Sequence, residues 1–176
     1  YAPVHQYFQA EKFSVHQNRN AAIYLLLQNL QLQPNEYPIY PPADNIHAGS
    51  LQAEKTLYMV VPCYNEEEVL HETAKRLKEK YTSLIERELI SAESRVVFVN
   101  DGSKDKTWDI IQELHAANPE TFSGINLARN SGHQNAVLAG LMTVKDICSM
   151  AITMDADLQD DINAIDAMVE KFHEGN

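Results

Sequence analysis

The sequence predicts an α/β fold built on a mostly parallel sheet, preceded by a short helix and a linker. Three observations carry this. From Thr56 onward, short apolar runs rich in β-branched residues alternate with segments of helical period. The segments between successive runs are long enough to hold a crossover helix, and such crossovers are right-handed and make neighbouring strands parallel. Three of the runs end in polar clusters: Pro62-Cys63-Tyr64-Asn65-Glu66, Asn100-Asp101-Gly102-Ser103 and Asp155-Ala156-Asp157. In a parallel sheet those ends share one edge, which is where open α/β sheets bind ligands.

The elements follow in order. Residues 1–54 read as an N-terminal unit. Within it Ile23, Leu26, Leu27 and Leu30 form a helical stripe after an Asn18 or Asn20 cap, and Pro34, Pro38, Pro41 and Pro42 then impose an extended linker. Residues 55–176 form the main unit. Leu57–Val61 is a buried strand stopped by Pro62. Glu66 to about Ser83 is a helix with Val69, Thr73, Leu77 and Tyr81 on one face, and Val96–Val99 is the second strand. Asp105 can cap a helix that places Trp108, Ile111, Leu114 and His115 together. Phe122–Leu127 is a third strand, Gly132–Val144 a helix, Met150–Met154 a fourth strand and Ile162–Phe172 a final helix.

Composition narrows the function classes. The chain has 176 residues, enough for one domain with a real core, and 44% of them are hydrophobic. Its net charge of -11 argues against a nucleic-acid-coating surface, which needs a Lys/Arg stripe. The cysteines, Cys63 and Cys148, form no Cys-x-x-Cys and suit a reduced setting, with Cys63 read as a buried small residue and not a nucleophile. No run reaches the roughly 18 apolar residues that span a bilayer, and no basic stretch leads into an apolar one as in a signal peptide. The missing Met at position 1 and the end just after a helical pattern lead us to expect a soluble piece cut from a longer protein. A sheet edge left uncovered by the last strand-helix unit makes a homo-oligomer a candidate assembly.

The clusters offer specific chemistry. In Asp155-Ala156-Asp157-Leu158-Gln159 two carboxylates and an amide follow a strand end, a donor set of hard oxygens suited to Mg²⁺ or Mn²⁺ holding substrate phosphates. An Asp-x-Asp is equally at home as two solvated loop residues, and Asp-Gly-Ser is ordinary turn chemistry, so the convergence of the clusters is what counts. Tyr64 presents a ring on which a base can stack, and Asp101 is an acceptor suited to the N–H edge of a nucleobase. Gly102 lets a backbone approach a ligand closely. Glu66 has a competing role as a first-turn helix charge. Trp108 reads as core rather than as a sugar platform, and His133 divides between helix-start packing and pocket lining.

Four motifs together resemble a known family. Val60-Val61-Pro62-Cys63-Tyr64-Asn65-Glu66-Glu67, Val99-Asn100-Asp101-Gly102-Ser103-Lys104-Asp105-Lys106-Thr107, Ala128-Arg129-Asn130-Ser131-Gly132-His133-Gln134 and Met154-Asp155-Ala156-Asp157-Leu158-Gln159-Asp160 stand in the order and spacing of family 2 glycosyltransferases. The resemblance covers about residues 55–174 and is strongest to the dolichol-phosphate mannose synthase and bactoprenol glucosyltransferase branch, although Asp160-Asp161 stands where that branch often has His-Pro or Pro-Pro.

The resemblance implies the nucleotide-binding half of a Rossmann-like GT-A fold, a nucleotide-diphosphate sugar donor with UDP favoured over GDP, and inverting, Mg²⁺- or Mn²⁺-dependent transfer. The acceptor it implies is a polyprenyl-phosphate lipid at the cytoplasmic face of a membrane; a polysaccharide or cell-wall hydroxyl is the alternative. By position, Pro62, Tyr64, Glu66, Val99 and Asp101 are the implied nucleoside contacts and Asp155 and Ala156 further donor contacts. Asp157 and Gln159, joined by Asp155, are the implied metal ligands, and Arg129 with the Gly132-His133-Gln134 helix start is implied near the diphosphate and sugar. The acceptor-side residues of that family lie downstream of its Asp-x-Asp, so these residues alone are expected to be inactive. A non-catalytic nucleotide-sugar-binding module and a receiver-like phosphotransfer domain are the rival classes.

Overall fold

The structure is a computed structural model that describes residues 55–157 and 161–174. The expected helix and linker of residues 1–54, and Gln159, lie outside the described residues. Four strands alternate with four helices: β1 Leu57–Cys63, α1 Leu70–Glu86, β2 Arg95–Asn100, α2 Thr107–Ala117, β3 Phe122–Asn126, α3 His133–Val144, β4 Met150–Thr153 and α4 Ala164–His173. The sheet is wholly parallel, with strand order β3-β2-β1-β4.

That order follows from the crossovers. The chain steps from β1 to β2 to β3 in one direction, then α3 carries it back across the sheet to β4 on the other side of β1. A right-handed crossover running in the opposite direction must use the opposite face. The packing agrees. Leu57, Met59, Val61, Val96, Phe98 and Phe122 meet α1, α2 and α4 on one face. Tyr58, Val60, Val97, Val99 and Ile125 meet α3 on the other. The alternation along β1 and β2 is the two-residue period of a strand buried on both sides.

Individual residues explain the boundaries. β1 runs through Pro62 to Cys63 instead of stopping before it. The Val60 carbonyl accepts the Met154 N–H, so Pro62, two residues on, turns its missing donor toward β4 just beyond the last paired residues, Val60 and Thr153. No ladder bond is lost there. Helix α1 starts at Leu70, four residues later than its hydrophobic spacing suggests, and a separate turn precedes it, in which the Glu66 carbonyl receives the Val69 and Leu70 N–H groups. The acidic residue in its first turn is therefore Glu72, not Glu66. Asp105 sits one residue before the N-cap position of α2 and accepts the Thr107 N–H at 3.0 Å.

Trp108 belongs to the packing of α2 on β3: a Cβ placed on Gly124 would lie 3.1 Å from its ring and 2.6 Å from Ile111. On the opposite face α3 approaches β1 and β2 equally closely at Gly140, where an added Cβ would lie 2.3 Å from a Val60 methyl and 3.0 Å from one of Val99. Both valines are fully buried and have few rotamers to retreat into. At the other side of the sheet Asp166 of α4 ties to Lys80 at 2.5 Å and to Arg87, both donors lying on or just after α1. Partial burial opposes ionisation of Asp166, but the hydrogen bonds from Lys80 and Arg87 outweigh it and hold the carboxyl below the usual aspartate range.

Gly140→Ala is expected to destabilise the fold. The helix-propensity gain of about 1 kcal/mol is opposed by overpacking of about 1–3 kcal/mol, here at the upper end because stiff buried valines receive the methyl. Urea denaturation should show a lower midpoint with an unchanged slope; a raised midpoint would contradict this account of the α3 packing.

Candidate donor-binding cleft at the sheet edge

Where the strand order reverses at β1, the loops after β1 and β4 lead to the α1 and α4 face while the loop after β3 leads to α3 on the other, and a crevice opens between them. A cleft of about 230 Å³ lies there, and every polar cluster singled out in the sequence reaches it. Pro62, Cys63, Tyr64 and Glu66 come from the end of β1, Asp101 from β2, Asn130, Gly132 and His133 from the approach to α3, and Asp155, Ala156 and Asp157 from beyond β4.

Two expected site residues stand elsewhere. Val99 is fully buried and packs against the α3 face of the sheet, so its side chain does not line the cleft. Arg129 is exposed and is not among the lining residues; its neighbour Asn130, quoted in the motif but given no role there, is. Arg129 does take part through its backbone, as shown below.

The β1 and β2 loops hold each other by reciprocal side-chain-to-backbone bonds. Asn65, at φ 57°, a left-handed conformation that Asn tolerates well, accepts the Lys104 N–H at 2.9 Å. Its own N–H donates to Ser103 Oγ at 2.9 Å. The Glu66 N–H donates to Thr107 Oγ1 at 2.8 Å. Glu67 and Asp105 exchange bonds in the same way: the Glu67 N–H reaches Asp105 Oδ2 at 3.1 Å and the Lys106 N–H reaches Glu67 Oε2 at 2.9 Å. These bonds fix the backbone on both sides of Glu66 and leave the Tyr64 ring, 42% exposed, at the cleft wall.

Asp101 performs a second such task. It is 3% exposed, and its carboxylate accepts the Ser131 N–H at 2.6 Å and the Gly132 N–H at 2.9 Å. A carboxylate has about four acceptor sites, so capacity for a ligand remains. The sequence offers Asp101 as a base contact; the structure adds that it anchors the loop leading into α3. Gly102 serves the same junction. At φ 64° a Cβ on it would lie 2.3 Å from Asn130 N and 2.4 Å from the Arg129 carbonyl carbon. The close approach that its missing side chain permits is therefore to this backbone.

The mouth is acidic. Asp155 and Asp157 are exposed while Ala156 between them is 3% exposed, so the two carboxylates face outward from an anchored backbone. His133 Nε2 lies 3.7 Å from Asp155 Oδ1. Burial, then the charges of Asp157, Asp105 and Asp155, raise the pKa of the Glu66 carboxyl above the usual value. Burial, and after it Glu66, pushes the Cys63 thiol far up, so Cys63 stays a protonated packing residue. Among the described residues no three His, Cys, Asp or Glu side chains are grouped so as to hold a metal ion by themselves.

The two glycines at the junction give a contrast. Gly132, at φ 93° and ψ 146°, has nothing within 4 Å of an added Cβ. Gly132→Ala should cost only backbone strain, about 1–3 kcal/mol. Gly102→Ala meets immovable backbone as well and should cost more, with loss of the cleft wall at residues 129–132. Thermal denaturation of the two variants side by side checks the order; equal losses would contradict it.

The model of the Glycosyl transferase family 2 matches residues 58–176. The chain is 47% identical over 124 residues to the uncharacterized glycosyltransferase YkoT of Bacillus subtilis (strain 168), covering 70% of this chain and 36% of that protein. It is 38% identical over 117 residues to the prophage bactoprenol glucosyl transferase homolog of Escherichia coli (strain K12), covering 66% of this chain and 35% of that protein. Among solved structures it is similar to S. aureus TarS 1-349, with a TM-score of 0.48 and 19% identity over 68% of this chain and 32% of that one. The chain thus spans about a third of the length of the curated relatives it matches. With the family model covering more than half of the chain and every residue that lines the cleft, the chain belongs to glycosyltransferase family 2.

Proposed function

We propose that the protein transfers a sugar from a UDP-type nucleotide-diphosphate donor to a polyprenyl-phosphate lipid at the cytoplasmic face of a membrane, with inversion and with help from Mg²⁺ or Mn²⁺. The observation that carries this reading is the convergence of Tyr64, Glu66, Asp101, His133, Asp155 and Asp157 on one cleft at the switch point of the sheet. The bactoprenol glucosyl transferases among the relatives support the lipid acceptor. No helix among the described residues is long and apolar enough to cross a membrane.

The roles follow from position. The exposed face of Tyr64 stacks on the base, and Asp101 receives its N–H edge while anchoring the 131–132 backbone. The start of α3, the positive end of its dipole, faces the same cleft and favours the diphosphate. The donor chemistry of Asp155 and Asp157 fits a hard divalent ion. Their charges, which after burial add with that of Asp105 to the raised Glu66 pKa, make the mouth a region of negative potential. With two carboxylates from the chain, phosphate oxygens and water would complete the shell, and Gln159 is the further candidate ligand. Such an ion neutralises the charge that develops on the leaving diphosphate. A phosphate acceptor is already an oxyanion and attacks the anomeric carbon with little need of a general base.

Titration with UDP and GDP, each with and without Mn²⁺, tests this reading. Saturable binding is expected, tighter for UDP and tighter with Mn²⁺. Asp157→Asn should remove most of the Mn²⁺-dependent gain, about 2–4 kcal/mol, and leave metal-free binding intact. Asp101→Asn should weaken binding with and without Mn²⁺ alike and also lower the melting temperature, since an amide nitrogen cannot accept the Ser131 or Gly132 N–H. A folded chain with no saturable binding to either nucleotide would refute the proposal.

A further inference from the structure

We infer that Thr73, a residue of α1 outside the cleft, is a positioning residue for the metal-binding carboxylates; the inference rests on the donor-binding reading above. Thr73 Oγ1 lies 2.5 Å from the Ala156 carbonyl oxygen, across 83 positions of sequence, with Thr73 1% and Ala156 3% exposed. The ordinary role of a mid-helix threonine is to back-bond to the carbonyl four residues earlier, and Thr73 Oγ1 does lie 3.1 Å from the Val69 carbonyl. That carbonyl also receives the Thr73 N–H at 3.0 Å, as in any such back-bond, so distance is what separates the two acceptors. The hydroxyl has a single proton, and the shorter contact, to Ala156, is where it goes.

The target explains the consequence. The Ala156 carbonyl and the Asp157 N–H belong to one rigid plane. Holding the carbonyl oxygen restrains that plane, and so the position from which Asp157 leaves the backbone. Asp155 is on the preceding side of the same anchored residue. Ala156 itself, buried in the core with α1, α4 and Met154, supplies the second point of attachment. Thr73 thus links the helix that packs beneath β1 to the turn that carries both carboxylates.

The test uses Thr73→Val, which keeps shape and removes the hydroxyl, and Thr73→Ser, which keeps the hydroxyl and removes the methyl. Binding of UDP is measured by calorimetry with Mn²⁺ and with chelator, beside the melting temperature of each variant. Thr73→Val is expected to lose about 5- to 10-fold in affinity with Mn²⁺ and less than twofold without it; Thr73→Ser is expected to stay within about twofold of the parent in both. Should Thr73→Val fail to fold, Thr73→Ala takes its place in the same comparison. Equal affinity of the hydroxyl-free variant and the parent in Mn²⁺ overturns the inference while leaving the donor-binding reading intact. Equal losses with and without Mn²⁺, or a Ser variant no better than Val, overturn it too, since these mark a structural role alone. A parent chain that binds no UDP overturns the donor-binding reading and this inference with it.

Discussion

Everything at the cleft depends on the handedness of one crossover. A parallel sheet joined by right-handed crossovers can reverse its direction of growth only by moving to its other face. Here α3 makes that move, passing from β3 back to β4 over the face opposite α1 and α2. The loops after β1 and β4 lead to the α1 and α4 face while the loop after β3 crosses to α3 on the other, and the space between them stays open. β1, flanked by β2 and β4, has to be buried on both sides, and its run of seven buried residues shows the result. The crevice therefore comes from topology, before any side chain in it is chosen.

Topology opens the crevice but does not hold its walls. The sheet ends at Cys63, Asn100 and Thr153, and the residues that matter lie beyond those points. Loop backbone at a sheet edge must find partners outside the ladder. In this chain those partners are the polar motif residues of neighbouring loops. Asn65, Glu67, Ser103, Asp105 and Thr107 lock the β1 and β2 loops together, while Asp101 and Gly102 lock the β2 loop to the approach to α3. Much of what reads as binding motif is thus mutual support, and it leaves Tyr64, Glu66, His133, Asp155 and Asp157 to face the cleft.

The alternation of elements was legible because each strand is a dense apolar run and each helix shows its buried face at intervals of three and four: Thr73, Leu77 and Tyr81 of α1 are buried as their spacing requires. Edges were less legible. Whether Pro62 ends β1 depends on which side its nitrogen faces, and that is set by register with β4, a partner some ninety positions away. The convergence of the clusters could be foreseen from parallel strand ends. The side-chain direction of Val99 could not, because a strand buried on both faces has no polar alternation to mark its sides. Asn130 rather than Arg129 lines the cleft, on a backbone stretch that Gly102 approaches closely, a contact between segments with no local signal. Thr73 is the extreme case. Its position on the buried face of α1 is readable, yet its partner, the Ala156 carbonyl, is main chain and leaves no trace in side-chain patterning.

The charge distribution links these parts to the proposed reaction. The chain carries a net charge of -11, and the cleft concentrates Glu66, Asp155 and Asp157 at its mouth. By itself such a cleft repels a diphosphate, and the one basic side chain among its lining residues, His133, lies 3.7 Å from Asp155. The start of α3 supplies partial positive charge on only one wall. An acidic cleft of this kind favours an anionic ligand when a cation comes between them, since carboxylates and phosphates then share it instead of facing each other. The same arrangement makes the aim of Asp155 and Asp157 the sensitive variable. Electrostatic attraction falls with distance, and a carboxylate swung away from the cation adds repulsion where it had supplied attraction. On the proposed reading, rigid anchoring of the backbone at Ala156, buried against the core and held by a hydroxyl from α1, would therefore matter more to donor affinity than its distance from the ligand suggests.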